Sequence, residues 1–502
     1  MMLRYFTISH STSTVHSAST YVPIVLVSRV LTFLRVLLVA RILGNAGQQE
    51  FGLYQLPIEL INFFVPLVML GLADVAERYA SHFEKHDQLL PAIRRHLRRL
   101  GLIGLAVITL LLATAPWLTY PLFKLPNDEH SQAYSVGLLA ACAFAIVLLA
   151  FYQYLAALLR GLRAFAPAAG LELAFAALFV IFSSLAAFQG SALALVIAYA
   201  LALLLPTLYF ALILRNHLKS HPVTSSPYHP ATLSPCHTSF ATWTLLRLQL
   251  TMSFGAIMIW SVGQLAIAAD LNPQVQTADY ASASRIAQQL ALIAVTLWAS
   301  CYGIAARSWS HHQTRRAKVQ FLRVGKFGAM LLTLLALIIL DARDLFAFIF
   351  PSVYSEAINE LLPPLLCLYL WYGLLAFAST FSNLQEQPRK GTALWAIAIA
   401  VQLAMLFVPA FHIFDDPKLQ VIFASTAGLG VALLVFTPLF LRRPPLILAI
   451  LALAPLSLLT PPGHVDLFAS IVLLLAMILS VFLLRPFENL AIRRFLQARK
   501  RK

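Results

Sequence analysis

Four arginines and one glutamate stand where charge is costly to place. Arg29, Arg35 and Arg41 interrupt the apolar run YVPIVLVSRVLTFLRVLLVARIL at residues 21–43. Arg285 sits in YASASRIAQQL, and Glu59 lies between Pro57 and Pro66, close to Asn62. An arginine at the centre of a bilayer costs at least ~2.5–3.5 kcal/mol, so such residues face a protein interior or a wet cavity. The guanidinium stays charged and presents a planar fork of donors that matches phosphate. Arg29, Arg35 and Arg285 therefore predict a cationic cavity for an anionic substrate group. Glu59 is the candidate counter-charge or coupling-ion site. The same residues admit a second reading, internal pairing, for instance of Arg285 with Glu59.

Depth and angle separate the three arginines of the first run. Counted from residue 21, they lie ~12, ~21 and ~30 Å along a helix, and successive members are ~240° apart around it. Arg29 and Arg35 can border one wide cavity, whereas Arg41 reaches the outer interface by extending its stem.

The elements that must hold these residues are membrane spans. The chain has 502 residues, of which 60% are hydrophobic and only 11% charged. Soluble domains carry ~25% charged residues. Fourteen spans are predicted, at about 21–43, 53–73, 100–123, 133–157, 167–188, 192–214, 247–268, 281–305, 324–342, 358–384, 392–413, 420–441, 445–460 and 467–485. The fold class expected is an all-α polytopic membrane protein. With both termini placed in the cytoplasm, 27 of the 36 Lys and Arg fall in cytoplasmic segments and three in external loops, and the other six lie in or beside spans. This asymmetry follows the positive-inside rule and accounts for the net charge of +16 without nucleic acid. The basic stretch 85–99 also admits contact with anionic lipid.

Residues 1–20 read as a cytoplasmic tail, 21–214 as a six-helix lobe, and 215–242, rich in Pro, Ser, Thr and His, as a cytoplasmic linker. A second six-helix lobe occupies 243–441, two added helices 442–485, and a basic tail 486–502. Residues 51–78 and 280–307 correspond without a gap, each running from an aromatic (Phe51, Tyr280) to an arginine (Arg78, Arg307). Parallel repeats related by an axis along the membrane normal would explain this. Gln153, Gln249, Gln264, Gln288, Gln289 and Gln402 are candidates to line a polar lumen or to join helices. Cys142, Cys236, Cys301 and Cys367 are scattered, so no metal site is expected. No phosphate-binding Gly-rich loop or nucleophile elbow is present, so neither a cofactor nor an enzymatic activity is expected, and any coupling ion is left open.

The stretch SRVLTFLRVLLVARILG, followed by FGLYQL and PLVMLGLADVAERY, resembles the start of the polysaccharide and oligosaccharide flippases of the multidrug/oligosaccharidyl-lipid/polysaccharide exporter superfamily. LFAFIFPSVYSEA resembles that family's second half. The first helix is also similar to that of lipid II flippases, where two arginines line a cavity for the pyrophosphate. The resemblance puts Arg29 and Arg35 on those arginines and Arg285 on a third in span 8. The basic pair of their second helix is replaced here by ELINFF, and their acidic residue in span 8 by Gln288. The resemblance implies two lobes that rock around a lipid-linked oligosaccharide in the plasma membrane, with the added helices holding its polyprenyl tail. Membrane lipids are implied partners, and a glycan polymerase partner is left open. A lipid II flippase and a multidrug cation antiporter of the same fold are the alternatives. A glycan polymerase or ligase, or a scaffold, fits the short external loops and buried arginines less well.

Overall fold

A computed structural model of the chain describes residues 14–85, 89–123, 125, 129–162, 164–220, 256–257, 259, 261, 273–310, 313–385, 387–440, 446–459 and 465–483. Every regular element among these residues is helical. Burial of backbone polar groups in lipid permits little else, because each helix satisfies its own N–H and C=O groups.

Seven helices come first: α1 (Thr14–Leu43), α2 (Gln48–Met69), α3 (Leu72–Lys85), α4 (Leu89–Phe123), α5 (Glu129–Gly161), α6 (Phe165–Ala187) and α7 (Ala192–Ser220). A second group contains α8 (Pro273–Ser310), α9 (Thr314–Asp341), α10 (Arg343–Ile349), α11 (Ser355–Leu384), α12 (Pro388–Phe407), α13 (Pro417–Gly430), α14 (Leu446–Leu453) and α15 (Val465–Phe482). A π-helical stretch, Val431–Phe436, prolongs α13.

Among the described residues ten helices are long and apolar enough to cross a membrane, and two shorter apolar helices follow at Leu446–Leu459 and Leu467–Phe482. The predicted span at 281–305 lies inside α8, a continuous helix of 38 residues. Most of the predicted span 247–268 lies outside the described residues, as do residues 1–13, the linker from 221 and the C-terminal tail.

Several boundaries differ from expectation, three of them in segments read as tail, loop and linker. α1 begins at Thr14, so residues 14–20, assigned to a tail, continue the helix. α4 begins at Leu89, which places Arg94, Arg95, Arg98 and Arg99 in its first turns rather than in a loop. Helix α7 runs on to Ser220, into the expected linker. In each case polar residues extend an apolar helix, since backbone hydrogen bonding continues past the hydrocarbon edge and hydropathy marks only the buried part.

The corresponding segments also diverge. Leu70 and Gly71 both take the left-handed conformation (φ 47° and 74°) and divide α2 from α3, whereas α8 runs through its matching region unbroken. Gly71 adopts this backbone freely; Leu70 does so at a cost of ~1–2 kcal/mol.

One core is built entirely within α1–α7. The other joins α8–α15 with residues of the first group, among them Val36, Phe51, Tyr54 and Val196. These belong to the end of the bundle opposite the basic segments, called here the distal end. Several contacts connect the groups there. Arg41 donates to the Ile349 carbonyl at 3.1 Å, Asn45 to Ser352 Oγ at 3.3 Å, and Gln48 to Asp279 Oδ1 at 2.9 Å. Phe51 meets Tyr354 edge to face with centroids 5.8 Å apart.

Gly52 permits the closest approach, because a Cβ at this position would collide with the Gln274 carbonyl. Gly52→Ala is expected to force α2 and α8 apart. The cost should fall in the range of overpacking, about 1–3 kcal/mol. Thermal unfolding in detergent checks this; an unchanged melting temperature would contradict the tight crossing.

Candidate functional site

Helix α2 positions the site. Tyr54 turns toward α1, while Gln55 and Glu59, four residues apart and so on one helical face, meet α8. Pro57 and Pro66 lie inside this helix, yet 14 of its residues, Glu59 among them, are buried. Glu59 is ~16 Å from the start of α2, about half the thickness of a hydrocarbon core.

Arg285 is held by four hydrogen bonds to three acceptors. Its Nη2 lies 2.8 Å from Glu59 Oε1 and 2.7 Å from Gln55 Oε1. Nε donates to the same Gln55 oxygen at 3.2 Å, and Nη1 to Gln288 Oε1 at 2.8 Å. Gln288 in turn donates to the Tyr369 hydroxyl at 3.1 Å. Ser261 donates to the other oxygen of Glu59 at 3.0 Å. The glutamate side chain is fully enclosed (0%) and that of Arg285 is 11% exposed. This is a buried, hydrogen-bonded ion pair across the two helix groups. Of the two readings the sequence allowed for Arg285, the geometry realises the internal pair with Glu59.

Arg35 differs. It is 6% exposed, and its Nη1 donates to the Tyr54 hydroxyl. The guanidinium carbon sits 4.2 Å from the centroid of Phe179 on α6 and 5.7 Å from that of Tyr54. Such cation–π contacts contribute ~2 kcal/mol when desolvated, far less than a buried charge costs. Its Nε has no hydrogen-bond partner, and no carboxylate pairs with it among the described residues. The tight packing of α1 on α6 fixes this cation beside the aromatic faces.

Tyr54→Phe tests how far the site depends on that hydroxyl. Removing the single acceptor leaves a buried charged donor unmade, at a cost of about 1–3 kcal/mol. The expected result is a lower melting temperature, with the loss reversed when Arg35→Met is added.

Arg29 is nearer the basic end and its side chain is 30% exposed. It lies 3.6 Å from Glu172 Oε2 on α6, and its Nε is also unpartnered. Glu172 accepts from the Tyr21 hydroxyl at 2.8 Å and lies 3.7 Å from Arg160, which binds Glu77 at 2.9 Å. Arg29 and Arg35 are thus on one helix but in different surroundings, the first balanced by carboxylate and the second by aromatic rings. The sequence did not reveal the Arg160–Glu77 pair or the burial of Glu172, because each residue looks interfacial until α1, α3, α5 and α6 are packed together. Arg41 is exposed at the distal end, as its depth predicted.

Of the glutamines predicted to line a lumen or join helices, Gln288 serves Arg285, as does Gln55, which the sequence did not single out. Gln402 is buried against Ser425 and the Ile259 carbonyl, and Gln153 is exposed. Gln249 and Gln264 lie outside the described residues. At the distal end, beyond the span, burial pushes the Asp279 carboxyl above the usual carboxylate range, against the pull of Lys418 and the Gln48 hydrogen bond. Among the described residues no cluster of metal-ligating side chains occurs.

No protein-family model matches the chain, and no curated protein sequence matches it either. Solved structures do. The lipid II flippase MurJ in an inward closed conformation superposes with a TM-score of 0.61 at 14% identity, over 92% of this chain and 97% of that one. An inward-facing multidrug resistance MATE transporter gives 0.58 at 14% identity, over 84% and 95%. The chain has the MOP-superfamily transporter fold. A further MOP protein, from Pyrococcus furiosus, gives 0.57 at 15% identity over 90% and 98% of the two chains, and is described by a binding pocket of reversed polarity. Pocket polarity therefore varies on this fold. The neighbours are transporters and flippases, and the MOP fold accounts for the all-helical bundle of two groups.

Proposed function

We propose that the protein is a flippase that moves a polyprenyl-diphosphate-linked oligosaccharide across the plasma membrane by alternating access. The observation that carries this reading is Arg35, a cation buried beside Phe179 and Tyr54 with no carboxylate of its own. An anionic group entering between the helix groups would supply the missing counter-charge. A diphosphate offers several acceptor oxygens to the planar fork. Arg29 stands toward the basic end, where substrate would load, and its 3.6 Å separation from Glu172 is loose enough for an incoming phosphate to compete. Arg285 contributes only when Glu59 lets go of it.

A multidrug cation antiporter is the weaker reading. Cation capture needs free carboxylates at depth, whereas Glu59 and Glu172 are both engaged by arginines. Lipid II stays the principal alternative cargo, since it offers the same diphosphate and the MurJ fold superposes at 0.61.

The deciding experiment reconstitutes the protein in vesicles and measures leaflet-resolved accumulation of labelled lipid-linked oligosaccharide and of lipid II in parallel. Faster transfer of the oligosaccharide lipid than in protein-free vesicles is expected. Transfer no faster than in empty vesicles for either lipid would sink the proposal.

A further inference from the structure

The distal end carries a cavity that the arginine sites do not use. Its volume is about 510 Å³, and Arg41, Asp344, Phe348, Ser352, Ser355 and Asn359 are among its lining residues. Small-molecule sites occupy ~300–1,000 Å³. Arg41 comes from the last turn of α1, and the other five from α10, α11 and the turn between them. The wall is therefore assembled from both helix groups.

The lining chemistry narrows the occupant. Arg41 is a donor only, with one nitrogen already fixed by the Ile349 carbonyl at 3.1 Å. Asp344 is an acceptor only, and its side chain is 91% exposed, with Arg343 4.0 Å away. The two serine hydroxyls serve either way. Asn359 gives its backbone carbonyl to Arg343 at 3.5 Å, while its side-chain Oδ1 is buried and has no donor. Phe348 presents a ring that is 81% exposed. An anion would meet the Asp344 carboxylate, and a cation would meet Arg41. An acyl chain would offer no donor to the Asn359 oxygen, which is already buried without one. A neutral ligand whose neighbouring hydroxyls both donate and accept, and whose C–H face can lie on an aromatic ring, satisfies every wall.

We infer that this cavity is a saccharide-binding site, in which Asn359 Oδ1 accepts from a sugar hydroxyl, Arg41 and Asp344 bind further hydroxyls, and Phe348 supports the ring face. On the flippase reading it would receive the glycan portion of the cargo at the distal side, and only that source of the sugar rests on that reading. Because Arg41 belongs to one helix group and Asn359 to the other, a bound sugar links them while the distal end is closed.

Saturation-transfer NMR on the purified full chain in detergent tests this with maltose, cellobiose and N,N′-diacetylchitobiose, and with sodium sulfate as competitor. Saturable transfer from at least one disaccharide is expected. Asn359→Ala should weaken it roughly tenfold, the loss of about one hydrogen bond to a buried group. Phe348→Ala, at an exposed position that folding does not depend on, should weaken it as well. No saturable transfer from any of the three sugars overturns the inference, as does transfer unchanged in both variants. Displacement of the sugar by equimolar sulfate would make the cavity an anion site and also overturn it. The assay contains no lipid and no transport step, so its failure leaves the flippase proposal standing, and failure of transport leaves the sugar site standing.

Discussion

Arg35→Ala is expected to reduce transport of a diphosphate-linked substrate by about 10- to 100-fold, the worth of a charge-assisted hydrogen bond of ~1.5–3 kcal/mol. The melting temperature should hold or rise. A guanidinium enclosed by Phe179 and Tyr54, with an unpartnered Nε, weakens the fold, and its replacement by a well-packed neutral side chain removes that cost. This opposition of the two readouts identifies a binding residue, since a merely structural arginine would lose stability and activity together. Arg35→Lys keeps the charge but not the planar fork or the stacked face, so intermediate transport is expected. Wild-type transport by Arg35→Ala at equal expression would remove Arg35 from the substrate site.

Glu59→Ala should produce the largest change in the distribution of conformations. The carboxylate is fully enclosed, and its removal leaves Arg285 as an uncompensated charge against Gln55 and Gln288. Losing one partner of a buried ion pair costs about 3–5 kcal/mol, whereas replacing both by apolar groups is often close to neutral. The pair connects the two helix groups, so the molecule can escape the penalty by separating them. Spin labels at Asn45→Cys and Ser352→Cys, positions that touch across the distal end at 3.3 Å, would report this as a new long-distance population. Arg285→Ala should show the same population, and the double variant Glu59→Leu/Arg285→Met should return most of it to the short distance. If the single variants keep the short distance and the melting temperature of the parent, the pair does not hold the groups together.

Much of the architecture was legible because lipid imposes a simple rule on the sequence: apolar runs of spanning length become helices. Even α8, with its polar stretch YASASRIAQQ, was found as the span 281–305. Helix ends were less legible, since Arg94 to Arg99 extend α4 by backbone hydrogen bonding alone. At the site, residue type and depth pointed to Arg35 and Arg285, but not to their opposite surroundings. That difference depends on Phe179 from α6 and Glu59 from α2, which are 144 and 226 positions away in the chain. Aromatic residues are common in spans, and nothing local distinguishes Phe179 as a partner of a cation.

The left-handed step at Leu70 and Gly71 separates α2 from α3 at the basic end. Above the step, α2 carries Tyr54, Gln55 and Glu59; below it, α3 carries Glu77 in its grip on Arg160. An unbroken helix would transmit every rotation of one set to the other. The step acts as a swivel. On the alternating-access proposal the upper segment would turn about its own axis and exchange partners for Arg35 and Arg285, while the lower one stays anchored. The long rod of α8 has no such bearing, so of the two helices that meet at the Glu59–Arg285 contact, α2 is the one built to twist and α8 the one built to tilt.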